Sequence, residues 1–318
     1  MIKHLKIACI YVGSIIGAGF ASGRELVLFF YPDSFASMVL AAVLLALVCM
    51  LFMLVPKNNF IVNLMAIIAS ILTFVCMLTS INNLEAELSL PKITSILTGI
   101  GVSIVALFGV EKIKNINLVL IPIIVVLFIF MAIKAPSIKC EGVSVLNSIK
   151  YVGMNSLLGG AVVTKEEKMS LKDKLMSSIY IVIMFIALFY LVYKIAIVYK
   201  DSALPVLSFA KEYKLDAIYG ICVYFAIVTT LISSAHVVYE NTKNILNTKI
   251  CVGFFVVLSL VFHEPDYKGF SSIIYPILGY MGCVYIVYNL VLIVKRIFSS
   301  NDFVKDFNRK IHYCSHKT

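Results

Sequence analysis

The sequence predicts an all-α, polytopic membrane protein with ten transmembrane helices in two inverted five-helix halves. Three observations carry this reading. Of 318 residues, 61% are hydrophobic and only 14% charged, whereas soluble domains run nearer about 45–50% apolar and about 25% charged. The apolar residues gather into ten runs, most of them near the roughly 20 residues that a bilayer-spanning helix needs. Features of the first and fifth runs also recur in the sixth and tenth.

The ten runs occupy 5–30, 35–55, 60–82, 93–110, 115–134, 143–163, 174–198, 215–239, 247–262 and 270–294, separated by charged or Pro- and Asn-containing connectors. Residues 203–213 read as a short surface helix after the seventh span. Lysine and arginine set the orientation, because cytoplasmic segments retain them. With the N-terminus inside, 17 of the 27 basic residues fall on inner segments and the tail, and 7 on outer loops. Arg24, Lys150 and Lys194 lie within spans. Both termini are therefore expected in the cytoplasm, with the chain crossing the cell membrane. The net charge of +10 is then a topology signal, and no nucleic-acid partner is expected. The eight cysteines lie mostly in apolar runs without a CxxC pair, so neither a disulfide framework nor a zinc site is expected. Met1–Lys6 with Ala21-Ser22-Gly23 has the outline of a cleaved signal peptide, but glycines at 13, 17, 19 and 23 are unusual in such a segment.

The most informative stretch is Gly13-Ser14-Ile15-Ile16-Gly17-Ala18-Gly19-Phe20-Ala21-Ser22-Gly23. Its four glycines each weaken a helix by up to about 1 kcal/mol relative to alanine. Gly13/Gly17 and Gly19/Gly23 are both GxxxG pairs, which favour close helix packing. Packing does not call for Gly-Ala-Gly at mid-membrane followed at once by Arg24 and Glu25, since ionisable groups at that depth mark pathways or paired sites. The sharper expectation is a discontinuous helix, with a half-helix N-terminus at 18–22 offering free N–H groups to an anion.

An inverted repeat should interrupt a second span in the corresponding place. Ten spans split five and five, so the partner of the first is the sixth. Tyr11-Val12-Gly13 recurs there as Tyr151-Val152-Gly153, and Ser14-Ile15-Ile16-Gly17 is matched by Ser156-Leu157-Leu158-Gly159. Pro122 and Pro276, the only mid-span prolines, stand about seven residues into the fifth and tenth spans. Residues 1–134 are thus read as the first repeat, 135–298 as the second, inverted repeat, and 299–318 as a cytoplasmic tail.

The motif Gly-Ser-Ile-Ile-Gly-Ala-Gly-Phe-Ala-Ser-Gly-Arg-Glu at 13–25 resembles the opening motif of the YkvI-like permeases. These belong to the amino acid–polyamine–organocation superfamily, which has the LeuT fold. In span count and order the resemblance covers nearly the whole chain; the specific motif covers only the first span. It implies a ten-helix, LeuT-like five-plus-five transporter with discontinuous helices 1 and 6, carrying an amino acid or related small solute by alternating access. It further implies a substrate site at the unwound parts of those helices. Ala18 and Gly19 would hold a carboxylate through their N–H groups, with Ser14, Ile15 and Gly17 alongside and Asn155, Ser156 and Leu157 completing the wall. Relatives with a sodium site use carbonyls matching Gly13 and Ile16, plus hydroxyls in the eighth span matching Thr230, Ser233 and Ser234. Ile232 departs from that pattern, standing where those relatives carry threonine. Sodium or a proton is the expected coupling ion, and no other cofactor or metal is expected.

Arg24, Glu25 and Lys150 adjoin in this arrangement. A Glu25–Lys150 or Glu25–Arg24 bridge would form an outer gate; alternatively Glu25 carries a proton, or a static bridge neutralises buried charge. Lys194 is expected to snorkel to the interface, and His236 and Glu240 to close the inner end of the eighth span. An enzyme is not expected: the spans hold no Ser/His pair, paired mid-span aspartates or HExxH motif. The expected partners are a small-molecule substrate and the lipid bilayer, and a non-transporting receptor of the same fold is the alternative.

Overall fold

The computed structural model describes residues 8–9, 11–13, 15–53, 60–108, 111–163, 171–264 and 266–299. Among them there is no strand. The helices are α1 (Ala18–Ser22), α2 (Arg24–Phe30), α3 (Phe35–Phe52), α4 (Phe60–Leu88), α5 (Thr94–Val105) and α6 (Glu111–Lys134). They continue with α7 (Val145–Val163), α8 (Leu171–Ala196), α9 (Pro205–Glu212), α10 (Asp216–Thr242), α11 (Thr248–Val261) and α12 (Tyr267–Ser299). Apart from the first, every apolar run of the sequence is thus helical over its described core. The short helix expected near 203–213 is present as α9, but it is not a surface helix, since Pro205, Val206, Leu207, Phe209 and Ala210 are buried and Val206 lies against Gly23.

Among the described residues, five stretches are long and apolar enough to cross a membrane: Phe35–Phe52, Phe60–Leu88, Lys172–Tyr199, Asp216–Thr242 and Tyr267–Lys295. The apolar parts of α5, α6 and α11 are shorter, at 10–17 residues. At about 1.5 Å rise per residue the apolar parts of α5 and α11 span less than the roughly 30 Å of a bilayer core, whereas α6 as a whole, at 24 residues, is long enough to cross it. Exposed faces throughout the bundle carry large apolar side chains, among them Leu47, Val126, Ile183, Ile221, Val257 and Val284. Apolar surface on this scale is what a helical membrane protein presents to lipid.

The two halves of the chain share one core. α4 packs along α10, α3 lies against both α7 and α8, and α12 packs on α7 and α4. At the centre, the rings of Phe29, Phe30, Phe189 and Phe185 gather around α2, α7 and α8. Tyr151 lies 5.1 Å from Phe30, 5.6 Å from Phe29 and 5.5 Å from Phe189 between ring centroids. Phe185 stacks on Phe189 at 5.3 Å.

The first predicted span is interrupted, as expected, but in two places. Residues 11–13 and 15 are helical, Ile16 and Gly17 are not, and the chain resumes as α1. Gly17 is extended, at φ −93° and ψ −170°. A second interruption follows five residues later at Gly23, which takes the left-handed conformation at φ 78°. Only glycine adopts that conformation without steric penalty. A Cβ there would also lie 2.7 Å from both Ala196 Cβ and Val206 Cγ2.

The predicted break in the sixth span is corrected: α7 runs as one α-helix from Val145 to Val163. Its glycine serves packing instead. A Cβ on Gly153 would collide with the carbonyl oxygen of Gly279, and one on Gly282 with the carbonyl group of Gly153. A Cβ on Gly279 would stand 2.8 Å from the Lys150 carbonyl oxygen. α7 and α12 therefore touch backbone to backbone, the use of small residues that membrane helices favour. Two polar residues near the predicted break bond within α7 itself. Asn155 Nδ2 donates to the Tyr151 carbonyl at 3.1 Å and Ser156 Oγ to the Val152 carbonyl at 2.5 Å. Nothing is left to hold the chain open there.

Two glycine substitutions separate these roles. Gly282→Ala should destabilise the protein by about 3 kcal/mol or more, the upper end of overpacking costs, because backbone cannot yield as a side chain does. Gly253 in α11 faces open space, so Gly253→Ala should be neutral or stabilising by up to about 1 kcal/mol. Denaturant unfolding in micelles checks both, and equal effects would contradict the α7–α12 contact.

Candidate functional site

The site begins at the interruption before α1. Ile16 N–H donates to the Val12 carbonyl at 2.9 Å and Gly17 N–H to Ile15 at 2.7 Å, closing the preceding turn. The next helix starts with Ala21 N–H donating to Gly17 at 2.9 Å. The first N–H groups of a helix have no intrahelical partner, and Gly17 supplies no side-chain cap. Ala18 and Gly19 thus carry these groups in the protein interior, where both residues are buried. Ile15 is buried as well; Ser14 lies outside the described residues.

On α7, Asn155, Ser156 and Leu157 are all buried, and none of them supplies the atoms closest to a Cβ on Gly17 or Gly19. Asn155 and Ser156 spend their donors on α7 itself. The Tyr151 hydroxyl stands within electrostatic reach of Asn155, Glu25 and Tyr11, yet it is buried and forms no hydrogen bond.

Of the predicted ion site, Thr230 is brought to the break: a Cβ on Gly17 would stand 3.3 Å from Thr230 Oγ1. That hydroxyl donates to the Ala226 carbonyl at 2.8 Å and the Ser233 hydroxyl to Thr229 at 2.8 Å. Back-bonding of this kind is the ordinary habit of hydroxyls in helices. It leaves oxygen lone pairs, not protons, for any ion. Ser234 is buried. Gly13 turns toward α6, where a Cβ would meet Ile121 Cδ1 at 3.2 Å.

The predicted outer bridges are not formed; among the described residues no ion pair joins Glu25 to Arg24 or to Lys150. Neighbouring residues on a helix point about 100° apart, so Arg24 and Glu25 diverge. Arg24 Nη1 donates to the Lys200 carbonyl at 3.3 Å. Glu25 folds back against Gly19. Lys150 faces away, its Nζ 4.7 Å from the centroid of the Tyr280 ring. Glu25 is only 7% exposed, and its Oε2 has no hydrogen-bond partner.

Two residues that motif reading did not single out complete this cluster. The Tyr275 hydroxyl presses on the same face of Gly19 as Glu25 Oε1. It pairs at 2.7 Å with the hydroxyl of Tyr267. Both tyrosines are buried. They lie eight residues apart in α12, two turns along one stripe, and Tyr275 directly precedes the mid-span Pro276. That spacing was the available signal. Just before α12, the carboxyl of exposed Asp266 resists a modest rise from burial. Hydrogen bonds from Gly269 N–H at 2.9 Å and Asn83 Nδ2 at 3.1 Å, with Lys268 nearby, hold it below the usual range.

The weaker candidates have structural places. Half-buried Lys194 donates through Nζ to the Ala132 carbonyl at 2.8 Å, near the end of α6. His236 Nδ1 meets the Ala106 carbonyl at 2.9 Å, and Glu240 pairs with Lys243 at 2.6 Å. A pocket of about 370 Å³ beside the C-terminal end of α8, lined by Lys139, Glu141, Tyr190 and Lys194 among others, contains none of the predicted substrate, ion or gate residues. No protein-family model matches the chain, and no curated protein matches it in sequence.

The three glycines around the break should respond differently to alanine. Gly19→Ala drives a Cβ into the Glu25 carboxyl and the Tyr275 hydroxyl and should cost about 2 kcal/mol or more. Gly23→Ala adds about 1–2 kcal/mol of left-handed strain to its clash. Gly17→Ala has an ordinary φ and asks only a small shift of Thr230, so under about 1 kcal/mol is expected. Melting temperatures in detergent rank them, and a Gly17→Ala effect as large as that of Gly19→Ala would contradict the geometry.

Proposed function

We propose that this protein is a secondary transporter that moves an amino acid or related small organic solute across the cell membrane by alternating access. The observation that carries the reading is the main-chain break at Ile16–Gly17, where Gly17 is half-buried between buried Ile16 and Ala18. In a membrane, non-helical backbone is tolerated only where protein or a water-filled cavity surrounds it, and transporters place such breaks at their substrate sites. The uncapped N–H groups of Ala18 and Gly19 suit a carboxylate, as helix N-termini do.

The resemblance of residues 13–25 to the YkvI-like permeases supports the same reading. So do the repeated Tyr-Val-Gly and the prolines within both α6 and α12. On this reading the ten apolar runs are ten spans in a LeuT-like five-plus-five inverted repeat, with both termini cytoplasmic. The intact α7 forms a continuous wall opposite the broken first span. Sodium, held near Thr230, or a proton on Glu25 supplies the driving force.

Purified protein in liposomes should show saturable uptake of at least one member of an amino-acid panel, with counterflow when the same solute is loaded inside. Uptake with and without a sodium gradient separates the two ions. A solute that raises the melting temperature yet shows neither uptake nor counterflow would instead assign a receptor of the same architecture.

A further inference from the structure

We infer that Glu25 is a proton-binding carboxyl, and that Tyr275 and Tyr267 connect it to the loop before α12. This deepens the transport reading by naming the proton as the coupling ion, and it rests on that reading for its physiological purpose only.

The environment of Glu25 defines what it can hold. An ionised carboxyl buried without a partner is costly, and a bound proton removes the charge. No cation faces it among the described residues. On its own helix, Arg24 is directed to the Lys200 carbonyl, with Asp201, Asp266, Tyr267 and Tyr275 within its electrostatic reach. From α1 comes Ser22, whose hydroxyl donates to the Gly19 carbonyl at 2.9 Å. α7 presents Tyr151, with Lys150 turned away onto Tyr280. α8 presents Tyr193, which donates to the Phe30 carbonyl at 3.2 Å, and Lys194, committed to Ala132. α4 contributes the Cys76 thiol, and α12 the two tyrosines. Glu25 therefore has tyrosine hydroxyls and a thiol around it, and one of its oxygens is unpartnered.

The tyrosines supply direction. Tyr275 and Glu25 converge on Gly19, the Tyr267 and Tyr275 hydroxyls are 2.7 Å apart, and Tyr267 N–H is bound by Asn83 Oδ1 at 2.7 Å. Tyr267 thus stands at the N-terminal end of α12, next to exposed Asp266. In the transfer, Tyr275, which is not hydrogen-bonded to Glu25 at rest, swings to give its hydroxyl proton to a Glu25 oxygen and receives one from Tyr267. The buried Tyr267 hydroxyl is reprotonated by a hydronium ion that is admitted from the side of the Asp266 loop and released as water. Three O–H bonds break and three form, both tyrosines end neutral, and the net change is one proton moved from water to Glu25. The face reached is the one that the lysine distribution assigns to the outside.

The test is infrared spectroscopy of the full-length protein in lipid, which needs no substrate. The pH-difference spectrum of the wild type should contain a protonated-carboxyl C=O band that disappears in Glu25→Gln and persists in Glu85→Gln, a control at a second buried acid. Tyr275→Phe and Tyr267→Phe should keep the band but slow its response to a pH jump by on the order of a hundredfold. A wild-type spectrum without a titrating carboxyl band overturns the proposal without recourse to any variant. So does a band unchanged in Glu25→Gln, and wild-type kinetics in both Phe variants overturn the tyrosine route. Uptake plays no part in this readout. A protein that never transports leaves the proton site standing, and failure of the proton site leaves sodium-driven transport standing.

Discussion

In a chain this apolar, backbone polar groups have almost no water to turn to, and that constraint governs the architecture. Each N–H or C=O left unpaired away from water costs on the order of a lost hydrogen bond or more. Long uninterrupted helices are the general solution, and α4, α8, α10 and α12 adopt it. Against that background the two interruptions within residues 16–23 are the expensive feature. The chain confines them to the centre of the bundle, where Phe20, Phe30, Phe189 and Tyr151 wall them in.

The same constraint explains where the scarce polar side chains go. Tyr219 donates to the Ala21 carbonyl near the end of α1, and Tyr193 to Phe30 at the end of α2. Buried Lys174 reaches the Met53 carbonyl just past α3 at 3.2 Å, Lys194 reaches Ala132 in the last turn of α6, and His236 meets Ala106 just past α5. Each satisfies a carbonyl that a helix end leaves open, and the cationic ones also complement the negative end of the helix dipole. Glu25 stands apart because it is polar, buried and committed to no helix end.

Glycine takes three distinct parts. Gly23 supplies a left-handed turn, Gly19 makes room for a carboxyl and a hydroxyl, and Gly153 with Gly282 lets two helix backbones meet. In sequence these positions look alike. The Tyr-Val-Gly recurrence at 11–13 and 151–153 marks a break a few residues later in the first case and a packing contact in the second. The difference lies in what stands opposite: Gly153 faces the glycines of α12, while Gly17 faces Thr230 and Gly19 faces Glu25 and Tyr275.

Helix content and helix limits were legible in the sequence, because apolar run length and charged connectors are local properties of the chain. The interruption in the first span was legible too, since four glycines in eleven residues followed by Arg-Glu is a local departure from everything around it. The continuity of α7 and the company of Glu25 were not. Asn155 and Ser156 bonding to their own helix, Arg24 turning to Lys200, and Lys150 turning to Tyr280 depend on side-chain directions, which one-dimensional spacing does not carry. The tyrosine pair beside Glu25 joins residues some 250 positions away in sequence, and no local signal records that proximity. The sequence by itself therefore determined an apolar helical chain with one costly break. Only the tertiary structure decided that the carboxyl beside the break lacks a cation and faces hydroxyls, because helix packing alone sets which side chains share a buried space.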